Sequence, residues 1–395
     1  IYNMNFLQIL LQISLLFSAS PSNVPEKSLS QITSGELIML MNDANEQIKE
    51  KEVISLLDET CEKLNGQVLV AQGHRIIYQK SVGFKKLYKD IPNLKQRNVA
   101  KFSPNNRLSD STMLELASVS KQFTAAAILK LASEGKLDTN DFVTKFFPSF
   151  PYSKITVKQL LTHTSGLPDY IDFKDQTFPV QTNFSNTELL KYFSNKRPKI
   201  VANPLTRFEY CNSNYAILAA IVEKVSGVSF SDYLQKKFFQ PVKMHSTCTY
   251  LDLDNENFSN YAYGHLNSQS EVPFHFMNNA LGDKGVYSTA LDLYRWALAY
   301  FIDYKVLPKV WVDLATSPRN RCYSGMPSQL YGYGYRLENS TDFGYQVYHG
   351  GLWRGFTHIF LYRPEDQMII IFLSNYRNRA HSGKCDAIFS ILDGV

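Results

Sequence analysis

Charged residues are few in this sequence, and neither sign has a large excess. Of the 395 residues, 19% are Asp, Glu, Lys or Arg, and 41 Lys and Arg against 36 Asp and Glu leave a net charge of +5. Soluble domains usually carry about 25% charged residues. Because the small positive excess is dispersed along the chain, it excludes the basic surface that nucleic-acid recognition requires.

Cysteines are also few, and they are scattered. None of the five shows the CxxC or finger spacing of a zinc site: Cys61, Cys211, Cys248, Cys322 and Cys385. The odd number leaves at least one thiol unpaired within the chain, and the sequence leaves open whether one or two disulfides form. HExxH, GxGxxG and Walker motifs are absent as well, so we expect neither a metal nor an organic cofactor.

Long hydrophobic runs are missing except near the N-terminus. Residues 6–17 form an apolar segment that contains two glutamines and is followed by small residues and Pro21. A membrane span needs about 20 apolar residues, so we expect no stable membrane span. The pattern favours a secretory signal peptide over residues 1–20, which predicts a secreted or periplasmic protein; an N-terminal anchor or a disordered tail is the alternative.

Aromatic residues, in contrast, are abundant. The chain has 24 Tyr, 26 Phe and 3 Trp, which together make up 13% of its residues. This composition can bury a large core and excludes wholesale disorder. At typical domain sizes of about 100–200 residues, the chain forms either two domains or one large domain with two lobes and a shared cleft.

The hydrophobic pattern divides the chain into helical and strand segments. Apolar residues at helical intervals predict an N-terminal helix over residues 36–64, with a break near residues 50–53. Residues 67–71 and 74–78 predict a β-hairpin, and residues 113–300 are mostly helical in pattern. Strands return at residues 331–337, 346–349, 358–362 and 368–373, and a closing helix follows from about Lys384.

The order of these segments predicts the architecture. Strands, a long helical segment and further strands indicate an α+β fold in which an all-helical lobe is inserted into a body of sheet and helices. We expect the lobe at about residues 113–300, within a domain of residues 65–395 that follows a linker and N-terminal helix over residues 21–64. A cleft between lobe and body is the expected place for an active site.

Ser118 and Lys121 form an S-x-x-K motif at the start of a helical run. Positions i and i+3 of a helix lie on one face with Cβ atoms about 5–6 Å apart, so the Lys121 ammonium can reach the Ser118 hydroxyl. A serine in the first turn also lies beside unpaired backbone N–H groups, which favour a developing oxyanion. The motif fits a nucleophile with its proton partner, but alone it also fits an ordinary helix start capped by Ser118.

Three further motifs follow S-x-x-K in chain order: Thr162-His-Thr-Ser-Gly-Leu167, Tyr210-Cys-Asn212 and His349-Gly-Gly-Leu352. Together the four motifs resemble the serine β-lactamase and penicillin-recognising family, specifically its class C branch. That branch also contains D-alanyl-D-alanine carboxypeptidases, D-aminopeptidases and family VIII esterases. The resemblance covers about residues 66–375. It implies a β-lactamase/transpeptidase-like fold, in which an antiparallel sheet flanked by helices and an all-helical lobe enclose the active site.

The resemblance also implies a role for each catalytic position. Ser118 would be the acylated nucleophile, and Lys121 its proton partner. Tyr210 would be the second member of the acid/base pair, taking the proton from Ser118 or passing it to the leaving group. Asn212 would hydrogen-bond Lys121 and an amide of the substrate.

The strand motif would bind the substrate on the other side of the nucleophile. By the same resemblance, His349 and Gly351 match the motif on the strand edge beside Ser118. The backbone N–H groups of Ser118 and Leu352 would form the oxyanion hole. Trp353, next to this position, is a candidate wall of the acyl pocket. We interpret His163, in the Thr162–Leu167 motif, as a structural residue that satisfies backbone groups.

Two positions depart from the family pattern. Gly350 stands where many members have Thr, so the hydroxyl that would bind a substrate carboxylate is absent; either Arg354 replaces it or the substrate lacks a carboxylate there. His349 replaces the usual Lys, and an ordinary histidine is charged only below about pH 6.5. Both changes favour a peptidase or esterase over an efficient β-lactamase.

The sequence therefore predicts an exported serine hydrolase that acts through an acyl-Ser118 intermediate on an amide or ester. The expected substrate is a small molecule or peptide: a D-amino-acid peptide that could derive from peptidoglycan, a β-lactam-like compound or a small ester. The alternative is a catalytically silent, penicillin-binding-like scaffold or binding module. Loss of Ser118, Lys121 or Tyr210 would favour that alternative, and all three are present.

Overall fold

A computed structural model of the chain describes residues 34–87, 103–173, 184–253, 258–266, 270–272, 274–323, 326–377 and 383–394. The signal peptide predicted over residues 1–20 lies outside these ranges. Within them, none of the helices combines the length and the hydrophobicity that a membrane span requires.

Thirteen strands are found in the described residues. They are β1 (Gly66–Gln72), β2 (Arg75–Val82), β3 (Leu114–Glu115), β4 (Cys248–Thr249), β5 (His265–Leu266), β6 (Ser270–Glu271), β7 (Val286–Ser288), β8 (Asn320–Tyr323), β9 (Met326–Tyr331), β10 (Arg336–Ser340), β11 (Gly344–Trp353), β12 (Phe356–Arg363) and β13 (Met368–Ser374). Eight of them form one antiparallel sheet in the order β2-β1-β13-β12-β11-β10-β9-β8. The N-terminal hairpin therefore pairs with the last strand of the chain, with Val70 opposite Ile370.

Ten α-helices are found in the described residues. They are α1 (Ser34–Lys63), α2 (Lys121–Ser133), α3 (Val143–Phe146), α4 (Val157–Leu161), α5 (Asn186–Lys196), α6 (Asn212–Ser226), α7 (Phe230–Leu234), α8 (Ala290–Ala297), α9 (Lys309–Ala315) and α10 (Lys384–Asp393). Helices α2 to α8 lie within residues 113–300, where the sequence predicts a helical lobe. The predicted α+β fold, an antiparallel sheet flanked by helices with a helical lobe, is confirmed.

The sheet separates two hydrophobic cores. Adjacent side chains of a strand face opposite sides of the sheet, and every residue of β13 is buried. Ile371 belongs to the larger core, which also contains Leu218 of α6. Ile370 belongs to the second core, together with Val53 of α1 and Phe389 of α10. Helices thus cover both faces of the sheet.

The described residues also form a small three-stranded sheet in the order β3-β7-β4. Its strand β3 directly precedes the Ala117–Ser120 segment and the first helix of the lobe. In this sheet, Glu115 of β3 pairs with Tyr287 of β7. The S-x-x-K motif starts three residues after Glu115, while Asp283 and Lys284 come just before β7. This pairing brings together two segments that are far apart in sequence, and the turn that follows β3 lies against β11 and β12 of the large sheet.

Two details differ from the expectations. Helix α1 is continuous from Ser34 to Lys63, so the break predicted near residues 50–53 is wrong. The strand predicted over residues 331–337 is interrupted, because β9 ends at Tyr331 and β10 begins at Arg336. Between them Gly332 N–H donates to the Tyr335 carbonyl at 3.0 Å, which makes a tight turn.

Candidate active site

The S-x-x-K motif begins in a strained turn. Ser118 lies half-buried in a 3-10 turn, Ala117–Ser120, that leads directly into α2. Ala117 has a φ of 50°, in the left-handed region that residues other than glycine rarely adopt. Glu115 Oε1 accepts hydrogen bonds from the N–H groups of Ala117 at 3.2 Å and Gly285 at 2.8 Å. Such strain is typical of functional sites, and here buried hydrogen bonds hold it next to Ser118.

Lys121 lies fully buried beneath Ser118. Its ammonium is 3.1 Å from Ser118 Oγ, 2.8 Å from Asn212 Oδ1 and 2.8 Å from the carbonyl oxygen of Asp283. A lysine ammonium carries three N–H donors, so these three contacts fix its position. The contact between positions 118 and 121 that the motif predicts is present.

Asp169 orients Asn212, the first residue of α6. Asp169 Oδ2 accepts both the backbone N–H of Asn212 at 2.9 Å and its side-chain NH2 at 2.7 Å, while Oδ1 accepts the N–H of Ile171 at 3.1 Å. With its NH2 held in this way, the Asn212 amide turns its oxygen towards Lys121. Burial raises the pKa of Asp169, opposed by these hydrogen bonds. Sequence reasoning missed Asp169, although it lies two residues beyond the Thr162–Leu167 motif.

Tyr210 is packed on several sides and lines the same cleft as Ser118. The Lys121 ammonium is 5.0 Å and the Arg336 guanidinium carbon 5.3 Å from the centre of its ring. The imidazole of His163 packs against the ring with centroids 4.4 Å apart and the ring planes tilted by 32°. Cations over the face of an aromatic ring are favourable, so these groups hold the ring in place beside the nucleophile.

The strand motif lies on β11, on the other side of Ser118. β11 pairs with β12 along most of its length, but with β10 only as far as Tyr348. From His349 onward, the edge that β10 no longer covers is therefore available to the cleft, which His349, Gly350, Gly351 and Leu352 line. Leu352 is 54% exposed at the mouth of the cleft.

The two glycines of this motif have different surroundings. A Cβ on Gly351 would lie 2.5 Å from the carbonyl oxygen of Leu116, which precedes the Ala117–Ser120 turn. A Cβ on Gly350 would meet nothing closer than the carbonyl oxygen of His358 at 3.7 Å. The absence of a side chain at Gly351 thus permits β11 to approach the Ala117–Ser120 turn, whereas the position of Gly350 has space for a side chain.

His349 is buried, and both ring nitrogens have partners. Nδ1 is 2.7 Å from the carbonyl oxygen of Gly350, and Nε2 is 3.2 Å from the Tyr331 hydroxyl. Burial, followed by the positive charges of Arg336 and Lys121, lowers the pKa of His349 well below the usual value. His349 is therefore neutral even at pH values where an ordinary histidine becomes charged.

The cleft has a volume of about 380 Å3. Its lining includes six of the predicted site residues: Ser118, Tyr210, Asn212, His349, Gly351 and Leu352. The seventh, Lys121, lies beneath the surface in contact with Ser118 and Asn212. No cluster of three or more His, Cys, Asp or Glu side chains in the described ranges could hold a metal ion.

The positive charges of the cleft differ from the sequence-based expectation. Arg354, the candidate carboxylate partner, does not line the cleft; with Glu115 it lines a small cavity that shares Trp353 with the cleft. Arg336 and Lys284 line the cleft instead. No motif marked Arg336, which is placed there only because β10 pairs it with Tyr348.

Lys284 is the second buried lysine of the site. Its ammonium lies 3.6 Å from the Asp283 carboxylate, donates to the Tyr170 hydroxyl, and is 5.2 Å from the ring centre of Trp353. The Tyr170 hydroxyl in turn donates to Asp283 at 3.1 Å. Burial lowers the pKa of Lys284, and the Asp283 charge opposes that shift. These residues form a polar floor next to Lys121.

Known proteins are similar to this chain in sequence and in fold. The Beta-lactamase family model matches residues 53–392. Penicillin-binding protein 4* of Bacillus subtilis strain 168 is 31% identical over 344 residues, which cover 83% of this chain and 72% of that protein.

Solved structures of penicillin-binding proteins are also similar to this chain. The octameric penicillin-binding protein homologue from Pyrococcus abyssi superposes with a TM-score of 0.71 at 26% identity, covering 88% of this chain and 77% of that one. The penicillin binding protein from Bacillus halodurans gives 0.69 at 24% identity, covering 86% and 99%. These likenesses extend over most of the chain, including both the sheet and the helical lobe.

Proposed function

The chain belongs to the beta-lactamase family, and on that premise we propose that it is a serine hydrolase that cleaves an amide or ester through an acyl-Ser118 intermediate. The observation that carries this proposal is the 3.1 Å contact between the buried Lys121 ammonium and Ser118 Oγ at the wall of the cleft. A nucleophile within hydrogen-bond reach of its proton partner, which a third group orients, is the arrangement that nucleophilic catalysis requires. Asn212 is that third group.

In the proposed acylation, Ser118 Oγ forms a bond to the carbonyl carbon of the substrate. The Lys121–Tyr210 pair, which must lack one proton to act as the base, takes up the hydroxyl proton. The bond to the leaving group then breaks, and the pair returns the proton to the leaving nitrogen or oxygen. In the second step water attacks the acyl carbon by the same route, and Ser118 is restored. The N–H groups of Ser118 and Leu352 are the proposed oxyanion hole, where one donor contributes about 3–4 kcal/mol.

The cleft favours a substrate that carries a carboxylate. Arg336 lies on its wall next to Tyr210, and a guanidinium matches a carboxylate with two parallel hydrogen bonds. Ile171, Leu352 and Trp353 supply apolar wall for the acyl part. The name of the Bacillus subtilis relative, a penicillin-binding protein, supports a peptide-like amide. We therefore place a D-amino-acid peptide, such as a peptidoglycan fragment, before a simple ester.

The place of action follows from the proposed substrate and from the N-terminal segment. Peptidoglycan fragments are found outside the cytoplasmic membrane. A signal peptide over residues 1–20 would deliver the protein there, so we propose a secreted or periplasmic enzyme.

The test is the intact mass of the full protein after incubation with a fluorophosphonate, and separately with a fluorescent penicillin. We expect one covalent adduct from each probe in the parent and in Ser133→Ala, a control on the same helix. We expect none in Ser118→Ala. Fluorophosphonate labelling alone would point to an esterase, and labelling that persists in Ser118→Ala would overturn the proposal. No labelling of the parent would favour the catalytically silent binding module.

A further inference from the structure

A continuous chain of buried hydrogen bonds connects the helical lobe to β11. Ser165 Oγ donates to Asn214 Oδ1 at 2.6 Å, and the Asn214 NH2 group is 3.2 Å from His163 Nδ1. On its other side, His163 Nε2 is 3.3 Å from the Tyr331 hydroxyl, which is 3.2 Å from His349 Nε2. The chain ends where His349 Nδ1 meets the Gly350 carbonyl oxygen. All the side chains in this series of hydrogen bonds are buried.

The donors and acceptors at the two ends fix the direction of the chain. At one end His163 Nδ1 receives the backbone N–H of Cys211 at 3.1 Å and the NH2 of Asn214, so it is an acceptor. A neutral imidazole has one N–H, so His163 carries its hydrogen on Nε2 and donates to Tyr331. At the other end the Gly350 carbonyl can only accept, so His349 carries its hydrogen on Nδ1 and accepts from Tyr331 on Nε2.

This arrangement requires both histidines to be neutral. If His349 were protonated, two N–H groups would point at the Tyr331 oxygen, and the phenol hydrogen would have to leave His349 for Tyr215, the other hydrogen-bond partner of the Tyr331 hydroxyl. Burial lowers the pKa of His163 well below its usual value, with further contributions from the charges of Lys121, His349 and Arg336. The pKa of His349 is lowered in the same way. The electrostatics therefore agree with the hydrogen-bond directions.

His163 also holds the segment that carries Tyr210. Its backbone carbonyl accepts the N–H of Glu209 at 2.8 Å, and its Nδ1 accepts the N–H of Cys211, so both neighbours of Tyr210 are bonded to one residue. Its imidazole packs against the Tyr210 ring. His163 has a φ of 54°, in the left-handed region that few residues other than glycine adopt. Strain of this kind persists only where surrounding contacts enforce it.

We propose that His163 and Tyr331 are positioning residues for the proposed hydrolysis, and that their hydrogen-bond chain sets the distance between Tyr210 and the His349–Gly350 segment across Ser118. The inference rests on the proposed function and adds two residues to it. Neither residue touches the reacting atoms; each acts through a residue that lines the cleft. Because these hydrogen bonds are buried and connect residues on both sides of Ser118, they hold the two walls of the site in a fixed relative position.

Tyr331→Phe is the sharpest variant, because it removes the central hydroxyl and keeps the ring. We expect acylation by the fluorophosphonate and kcat on a peptide or ester substrate to fall about 10-fold to 100-fold, since a misplacement of about 1 Å costs up to about 100-fold. We expect KM to change by less than about 3-fold, because the loss is in the transition state. Tyr233→Phe is the matched control: it also removes a buried hydroxyl, one without a hydrogen-bond partner among the described residues, and we expect parent rates.

His163→Asn provides a second, independent variant. Asparagine keeps an acceptor for the Cys211 N–H but is too short to reach Tyr331. If both residues act through one chain, the double variant will be no slower than the slower single variant, because residues that act as a unit are not additive. Rate losses that multiply would overturn the inference.

The spectroscopic test does not depend on activity. Long-range 1H–15N spectra of the imidazole rings of the parent should show the Nε2–H tautomer for His163 and the Nδ1–H tautomer for His349, both neutral at pH 6. The opposite tautomers, or a charged ring, would overturn the proposed chain even if Tyr331→Phe failed to fold. Parent rates in a folded Tyr331→Phe would overturn the positioning role alone. A parent that neither probe labels would overturn the proposed function, and the positioning role with it.

Discussion

At the scale of single residues, Gly350 and Gly351 predict opposite responses to substitution. Gly350 has space for a side chain, so Gly350→Thr should fold normally and place a hydroxyl in the cleft. A hydrogen bond to a charged group contributes about 1.5–3 kcal/mol, so we expect acylation by the fluorescent penicillin, which carries a carboxylate, to become about 10-fold to 100-fold faster. The measurement is the labelling rate at several probe concentrations.

Gly351→Ala is the matched comparison at the neighbouring position. Its Cβ would lie 2.5 Å from the Leu116 carbonyl oxygen, so either β11 or the nucleophile turn must shift. We expect labelling by both probes to fall about 100-fold, since a shift near 1 Å has that effect. A Gly351→Ala protein as active as the parent, or a Gly350→Thr protein that is unfolded, would show that the strand does not approach the turn as described.

Asp169 predicts the effect of losing the orientation of Asn212. In Asp169→Asn the new amide can present its NH2 to the NH2 of Asn212, so the Asn212 oxygen is no longer directed at Lys121. We expect kcat to fall about 10-fold or more, because the group that orients a catalytic side chain is lost. The control is Asp172→Asn, an exposed neighbour. Equal acylation rates for Asp169→Asn and Asp172→Asn would contradict this role.

The residues of the site differ in how far sequence could predict them. Ser118 and Lys121 are three positions apart, so local helix geometry is enough to predict their contact. The convergence of Tyr210, Asn212 and His349 was expected only from the resemblance, and the structure brings them to one cleft. Arg336 could not be predicted, because its position depends on the pairing of β10 with β11. Arg354, one of the two alternatives left open by the sequence, does not line the cleft but a neighbouring cavity, because it lies in the turn after β11.

At the scale of elements, the junction of β3 and β7 contains a carboxyl group that titrates near neutral pH. Burial raises the pKa of Glu115 to about 7, although the N–H of Gly285 and the charge of Lys284 oppose the shift. In the unfolded chain a glutamate titrates near 4.3. Between these values the native protein binds more protons than the unfolded chain. The free energy of unfolding therefore decreases as pH rises towards 7, by up to about 1.4 kcal/mol per pH unit.

Glu115→Gln should remove this contribution. The variant keeps an acceptor for the N–H groups of Ala117 and Gly285 but has no proton to release. We expect its free energy of unfolding relative to the parent to increase by about 2 kcal/mol between pH 5 and pH 7. Urea unfolding of both proteins at pH 5, 6, 7 and 8 measures the difference between their free energies of unfolding. Other titrating groups contribute equally to both proteins, so they do not affect this difference. A difference that stays constant across this range would show that Glu115 remains charged in the folded protein.

Most elements could be predicted from periodicity, and the exceptions have structural causes. The hairpin of β1 and β2 and the strand β13 are apolar runs between turn residues, so their pattern is local. The segment from Tyr331 to Leu337 has the composition of a strand, but a Cβ on Gly334 would lie 2.9 Å from the Lys121 carbonyl oxygen. The chain turns there because it packs against α2, a contact that no local pattern reveals.

At the scale of the whole molecule, the larger core runs from the helical lobe to the face of the sheet. Leu218 of α6 and Ile371 of β13 belong to this one core, although they lie in different lobes. The sheet also contributes Ile370 to the second core, under α1 and α10. Both cores contain side chains of β13, so unfolding of the helical lobe would also remove packing from the sheet. We therefore expect the sheet and the helical lobe to unfold together, as one unit.

Leu218→Ala and Ile371→Ala test this cooperativity. Each should destabilise the protein by about 2–5 kcal/mol, because a buried leucine or isoleucine cut to alanine loses burial and leaves a cavity. We expect calorimetry and circular dichroism to show one transition whose midpoint falls in both variants. Val310→Ala, which shortens a side chain that is 67% exposed, should change stability by less than about 0.5 kcal/mol. If Leu218→Ala shifted one transition and Ile371→Ala another, the lobe and the sheet would be separate folding units, and the cleft between them would not be a rigid site.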